Sequence, residues 1–297
     1  MSQKINNKYS RRSFFKKSGG VIATVVAAGA VIPNLVSGKP DSATPSNLKD
    51  LNDITRMTHD LQQALKKPLA DRKWTMAIDA RKCIACDACT VACIAENNLP
   101  PNVTYRKVIE VEDGEFPNLQ RFFKPTNCMQ CEKPTCVGAA NAVVPGSMAI
   151  RPDGIVTIDY TKMKGKEVFE AAKKACPYAH ALYFDEGGNY TDNTPSVQKY
   201  ESFGSNEYGK EFKRSETINT TRKCHFCLNK IENGLLPACV TTCIGRAMYF
   251  GDLNNSGSLI ATHLKNNESF VINEGAKTAP AVKFIHDKLD ETCLKCH

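Results

Sequence analysis

Residues 83–93 read CIACDACTVAC. Cys83, Cys86 and Cys89 are spaced so that a tight loop can hold three corners of a [4Fe–4S] cube, while Cys93 opens a helix that leads away towards a second cube. The fourth ligand of each cube therefore comes from elsewhere in the chain. Further along, TIDYTKMKGKEVFEAAKKACP (Thr157–Pro177) repeats the frame of AIDARKCIACDACTVACIAEN (Ala77–Asn97), both opening on Ile-Asp-x-x-Lys. In the later copy Met163, Lys166 and Phe169 stand at the places of the first three cysteines, and only Cys176 remains.

Two more runs resemble each other. CMQCEKPTCVGAANA supplies Cys128, Cys131 and Cys136; CHFCLNKIENGLLPACVTTCIGRA supplies Cys224, Cys227, Cys239 and Cys243. Setting Pro134-Thr135-Cys136-Val137 against Pro237-Ala238-Cys239-Val240 places Ala140 opposite Cys243. Bacterial two-cluster ferredoxins join the first three cysteines of one run to the last of its partner. Pairing the first run with the fourth then gives two complete sets: Cys83, Cys86, Cys89 with Cys243, and Cys224, Cys227, Cys239 with Cys93. Pairing the second with the third gives one complete set, Cys128, Cys131, Cys136 with Cys176. The other would need Ala140, Met163, Lys166 and Phe169, so all four ligands of one site are missing together. Zinc would explain the CxxC pairs but not the CxxCxxCxxxC run, and a disulfide scaffold needs no triplets. The expectation is three [4Fe–4S] clusters.

These runs, the CPY after the third, the LPAC inside the fourth and GEFPNLQRFFKPTNCMQC leading into the second resemble the four-cluster iron–sulfur subunits of respiratory oxidoreductases. Such subunits partner molybdopterin enzymes acting on dimethyl sulfoxide, tetrathionate or polysulfide, or multihaem cytochrome reductases such as formate-dependent nitrite reductase. The resemblance covers about Trp74 to Leu264. It implies an α+β fold, a double bacterial-ferredoxin-like domain with short hairpins and helices around a row of clusters. It also implies a membrane quinol-oxidising subunit on one side and a catalytic reductase subunit on the other. The chain departs from the family at Ala140, Met163, Lys166 and Phe169, so the wire should end or bend there.

The chain ends CLKCH, in which Cys293, Cys296 and His297 form the CxxCH motif for covalent attachment of haem c. A pair of thiols or a disulfide-type pair is the alternative. An axial partner is not marked by spacing; His263, His286, Met57 and Met248 are the candidates. A haem here would extend the wire where the missing cluster would have continued it, or meet a cytochrome partner.

At 297 residues and 42% hydrophobic content the chain can bury a substantial core. Its formal charge of +8 is concentrated at the start: without residues 1–38, 33 basic residues face 31 acidic ones, or +2. Nothing in this balance points to nucleic acid. SRRSFFKKSGGVIATVVAAGAVIPNLVSG has the charged, apolar and small-residue zones of a signal peptide, with cleavage after Ala30 or near Gly38. Ser10-Arg11-Arg12-Ser13-Phe14-Phe15-Lys16 resembles the twin-arginine signal, whose machinery exports folded, cofactor-loaded proteins to the periplasm. An ordinary basic flank is the plainer alternative. The fourteen cysteines of an exported chain would by default be disulfides, and export after cluster assembly removes that default. No other stretch is long and apolar enough to span a membrane.

The chain thus divides into a signal peptide (1–38), a linker and amphipathic helix (39–72), a double ferredoxin-type domain (73–254) and a tail (255–297). Leu48, Leu51, Ile54, Leu61 and Leu65 recur at helical spacing, with Ser46 as N-cap and Pro68 as stop. WTMAID and GIVTID read as strands. Residues 185–223 are polar without a clear period and read as a long surface insertion. Every strong motif is spent on cofactor ligation, which favours an electron-transfer subunit over a self-contained oxidoreductase. A molybdopterin-type subunit without haem is a further alternative. His59, His180 and His225 read as structural.

Overall fold

A computed structural model describes residues 52–113, 115–178, 180–188, 203–207, 210–213 and 216–286. Its architecture is mixed α and β, with short elements wrapped round cysteine-bearing loops.

WTMAID forms the strand β1 (Trp74–Asp79), and all six of its residues are buried. It is the centre of a three-stranded sheet, which explains its unbroken apolar character: β10 (Met248–Asp252) pairs with it antiparallel and β11 (Val282–Ile285) parallel. The register does more than build a core. Ile78 lies opposite Met248, so β1 runs towards Cys83 as β10 departs from Cys243, and both cysteines sit five residues beyond that pair. A single 3-10 turn, Ala80–Lys82, covers the last step to Cys83, and Gly245 packs so closely that a Cβ there would meet the Lys82 carbonyl at 2.3 Å.

The helix α1 (Asp53–Leu65) starts later than its sequence pattern suggests. Its N-cap is Asn52, whose side chain accepts from the Thr55 N–H at 2.9 Å, and Ser46, Leu48 and Leu51 lie outside the described residues. Met57, Leu61 and Ala64 form its buried stripe, and Met57 Sδ accepts from the Phe250 N–H of β10 at 3.2 Å. The helix thus serves the protein's own core. Buried Asp60 reaches across to accept from the Leu259 N–H at 2.8 Å, at the start of a later helix over Leu259–Asn266.

The first cysteine loop ends in α2 (Ala88–Asn97). It is followed by the hairpin β2 (Lys107–Asp113) and β3 (Gln120–Thr126), which delivers the chain to Cys128. Next come α3 (Thr135–Val143), the hairpin β4 (Met148–Ile150) with β5 (Val156–Ile158), and α4 (Lys166–Ala175) packed on α3. GIVTID therefore yields only a three-residue strand, yet β5 then α4 repeats the order of β1 then α2, as the near-match in sequence suggests. Residues 278–281 strap the loop of the second run: Cys131 bridges Pro280, and the N–H groups of Glu132 and Lys133 donate to Ala279 and Thr278.

The expected surface insertion is narrower than residues 185–223. β6 (Leu182–Phe184) pairs with β9 (Thr221–Lys223), and Asp185, Thr217 and Thr220–Lys223 are buried. Arg222 explains the burial of so polar a segment, since it pairs with Asp185 at 3.0 Å and donates to Tyr105 Oη at 2.8 Å. Between them β7 (Phe203–Glu207) and β8 (Lys210–Lys213) form a two-stranded ladder. Short helices follow: α5 (Leu228–Ile231) and α6 (Ala238–Thr242), with α7 (Leu259–Asn266) already described. Among the described residues no helix is long and apolar enough to cross a membrane.

Candidate metal centres

The twelve described cysteines are all free thiols. Cys93, Cys224, Cys227 and Cys239 line one enclosed cavity, together with Arg106 and Asn97. Cys93 comes from the middle of α2, Cys239 from α6, and Cys224 and Cys227 from the loop between β9 and α5. Left-handed backbone at Phe226 (φ 58°) and Cys227 (φ 55°) curls that loop around the cavity. The sulfurs are met by N–H donors. Phe226 N donates to Cys224 Sγ at 3.4 Å, Asn97 Nδ2 lies 3.5 Å from Cys93 Sγ, and Arg106 Nη2 lies 3.4 Å from Cys239 Sγ.

Cys83 and Cys86 follow β1 in a loop with left-handed Ala85 and Asp87, Cys89 opens α2, and Cys243 follows α6 with its Sγ accepting from the Ala247 N–H at 3.2 Å. Burial raises the Cys83 thiol, to which Cys243 and Cys86 add. It pushes Cys89 up to about 11 against the lowering effect of Arg106. Cys86 is exposed, and Ile84, Val91 and Ile244, beside these cysteines in sequence, are exposed apolar residues.

Cys128, Cys131 and Cys136 are buried between the β3 exit and α3, and Cys176 caps the end of α4. Burial pushes Cys136 and Cys176 up to about 12; Cys128 and Cys131 add to the rise in both, and Cys136 adds to that of Cys176. Buried Lys223 lies beside Cys131 and Cys136, its Nζ held by the carbonyls of Val156 and Cys224. The groups adjoin: Cys239 raises Cys89, and Cys128 raises Cys224. Gln130 links the last two loops, donating to the Cys224 carbonyl at 2.5 Å and accepting from the Val156 N–H at 2.8 Å.

The place of the missing ligands is filled. Ala140, Met163 and Phe169 are buried in the main hydrophobic core with Val168 and Ala172. Lys166 instead points to solvent, pairing with Glu186 at 3.3 Å and lying over the Phe184 ring.

This donor set suits an anionic iron–sulfur cube. Four thiolates at one cavity would repel without a cationic core, and Arg106 Nη1 is buried there with no protein acceptor. Among the described residues no three His, Cys, Asp or Glu side chains are arranged to hold a single ion, the arrangement zinc requires.

Residues 119–202 and 191–253 match the family of 4Fe–4S dicluster domains. A selenate reductase subunit of Mesobacillus selenatarsenatis is 42% identical over 298 residues, covering 96% of this chain and 100% of that one. The chain belongs to the 4Fe–4S dicluster subunits of respiratory reductases. A tetrathionate reductase subunit of Salmonella typhimurium is 30% identical over 67% of the chain and 66% of its own length. The arsenate respiratory reductase iron–sulfur subunit of Shewanella sp. strain ANA-3 is 27% identical over 71% and 94%. This dicluster subunit is accordingly an electron-transfer component, not the catalytic one, and it is of the kind that carries [4Fe–4S] clusters.

Sequence reasoning missed the polar residues around the sulfurs. Asn97 had a readable signal, four residues after Cys93 on the same helix face. Arg106 and Asn127, whose Nδ2 lies 3.8 Å from Cys224 Sγ, had none. The axial candidates Met57 and Met248 are core residues of the dicluster subunit, and His263 stacks on Tyr249 at 3.8 Å. His286 lies against Phe122. His225 is half-buried, accepts from the Leu228 N–H at 2.9 Å, and is pushed down to about 4 chiefly by desolvation, so it stays neutral. His59 contacts Gln63, and His180 is lowered chiefly by burial. Cys293, Cys296 and His297 lie outside the described residues.

Proposed function

We propose that this protein carries three [4Fe–4S] clusters in a row inside a tandem ferredoxin-like domain over residues 73–254. Cys83, Cys86, Cys89 and Cys243 hold the first, Cys93, Cys224, Cys227 and Cys239 the second, and Cys128, Cys131, Cys136 and Cys176 the third. The observation that carries this reading is the cavity where Cys93, from the first run, meets three cysteines of the fourth. The neighbourhoods of Cys89 with Cys239 and of Cys224 with Cys128 support the order first, second, third. When bound, the clusters supply one-electron storage; the chain supplies burial, N–H donors to sulfur and fixed charge. The row stops at the apolar plug of Ala140, Met163 and Phe169. Exposed Cys86, with Ile84, Val91 and Ile244 exposed beside the cysteines of this set in sequence, makes the first cluster an open end of the row.

The relatives support placing the protein between a quinol-oxidising membrane partner and a catalytic reductase. The relative at 42% identity favours selenate or a related chalcogen oxyanion as the substrate class of that reductase. Export by the twin-arginine signal to the periplasm and haem c on Cys293 and Cys296 with His297 complete the proposal. Affinity isolation of the tagged exported chain, with intact masses after acid denaturation, tests the whole. The expected result is a chain heavier by one haem, co-isolated with a larger catalytic subunit. A bare chain that turns over an oxyanion alone would contradict it.

A further inference from the structure

Arg106 immediately precedes β2 and is fully buried. Its Nη2 donates to Cys239 Sγ at 3.4 Å and touches Met76 Sδ at 3.0 Å, while Nη1 has no protein acceptor. Buried Arg222 shows what a satisfied guanidinium looks like in this fold, with Asp185 and Tyr105 as partners. Among the described residues no carboxylate pairs with Arg106. The groups that do are thiols, Cys239 and Cys89 first, then Cys224 and Cys93. A buried cation without a counter-ion is strongly disfavoured, so its counter-ion is whatever negative charge those sulfurs hold.

Resting on the cluster assignment above, we propose that Arg106 is the fixed counter-charge of the second cluster and raises its reduction potential above those its neighbours would have with the same charge absent. An all-thiolate cube is a dianion when oxidised and gains one more negative charge on reduction. The electron comes from an adjacent cluster, and no bond is made or broken and no proton moves. A cation in a water-excluded site stabilises the reduced form more than the oxidised one, and an N–H donated to a ligand sulfur acts in the same direction. The effect is graded by geometry. Three of the five sulfurs that feel Arg106, Cys239, Cys224 and Cys93, belong to the second cluster and two, Cys89 and Cys83, to the first, whereas Cys131, Cys136 and Cys176 of the third are shifted by other groups.

The test is a potentiometric titration of the holo-protein followed by electron paramagnetic resonance, comparing wild type with R106M. At the native midpoint of the second cluster, R106M is expected to shift its oxidised-to-reduced ratio at least tenfold towards oxidised, about 59 mV for a one-electron couple. The first cluster should shift less and the third not at all, and R106K should recover most of the loss. If R106M fails to retain its iron, R106Q carries the same expectation, since it keeps a donor without the charge. Three clusters with an unmoved second midpoint, or with all three midpoints displaced equally, would overturn the role of Arg106. A wild-type protein without [4Fe–4S] signals would overturn the cluster assignment instead.

Discussion

Replacing Cys93 by alanine is expected to abolish the [4Fe–4S] signal of the cluster held with Cys224, Cys227 and Cys239, while that of Cys83, Cys86, Cys89 and Cys243 persists. Proximity in sequence favours the opposite result, because Cys93 lies in the same short run as Cys83. The fold separates them. Cys83 and Cys86 lie in the loop after β1 and Cys89 in the first turn of α2, whereas Cys93, one turn further along α2, lines the cavity of the fourth run. Cys93 is also buried, which disfavours replacement of its sulfur by water. Electron paramagnetic resonance of the reduced variant reads the result, and electron transfer along the row should fall to background because the middle member is gone. Loss of the first cluster with the second intact would show that the runs do not cross.

The largest effect on stability is expected at Phe169. Truncation to alanine should lower stability by about 3–5 kcal/mol, the range for deleting a buried aromatic ring. Phe169 packs with Met163, Ala140 and Ala172 where α3 and α4 meet, and its ring lies 5.3 Å from that of Phe184. Ala140, Met163 and Phe169 are thus part of the main hydrophobic core. A cube would have cross-linked these two helices; the apolar side chains now do so by burial. Anaerobic thermal unfolding of F169A checks this, and an unchanged transition would mean the region is a slack remnant. Lys166, facing water and paired with Glu186, stays outside this packing.

Much of this was legible from cysteine spacing alone, because a cube fixes its ligands more tightly than any core fixes its side chains. The repeated frame of Ile78-Asp79 and Ile158-Asp159 likewise foretells two strand–loop–helix units. What stayed hidden depended on tertiary neighbours. Nothing near Arg106 in sequence distinguishes it from a surface arginine, and the polar stretch Thr220–Lys223 reads as solvated because Asp185 and Tyr105 are remote in the chain. The apolar pattern misplaces the start of α1 for a local reason. Asn52 and Ser46 are both competent caps, and only the docking of Met57 and Leu61 against β10 chooses between them.

The row of three clusters is tested most directly by iron and acid-labile sulfide per chain in protein isolated without air. The arrangement of twelve cage cysteines predicts about twelve of each. About sixteen would mean that a fourth cluster forms despite Ala140, Met163, Lys166 and Phe169, and a value near zero would remove the clusters altogether.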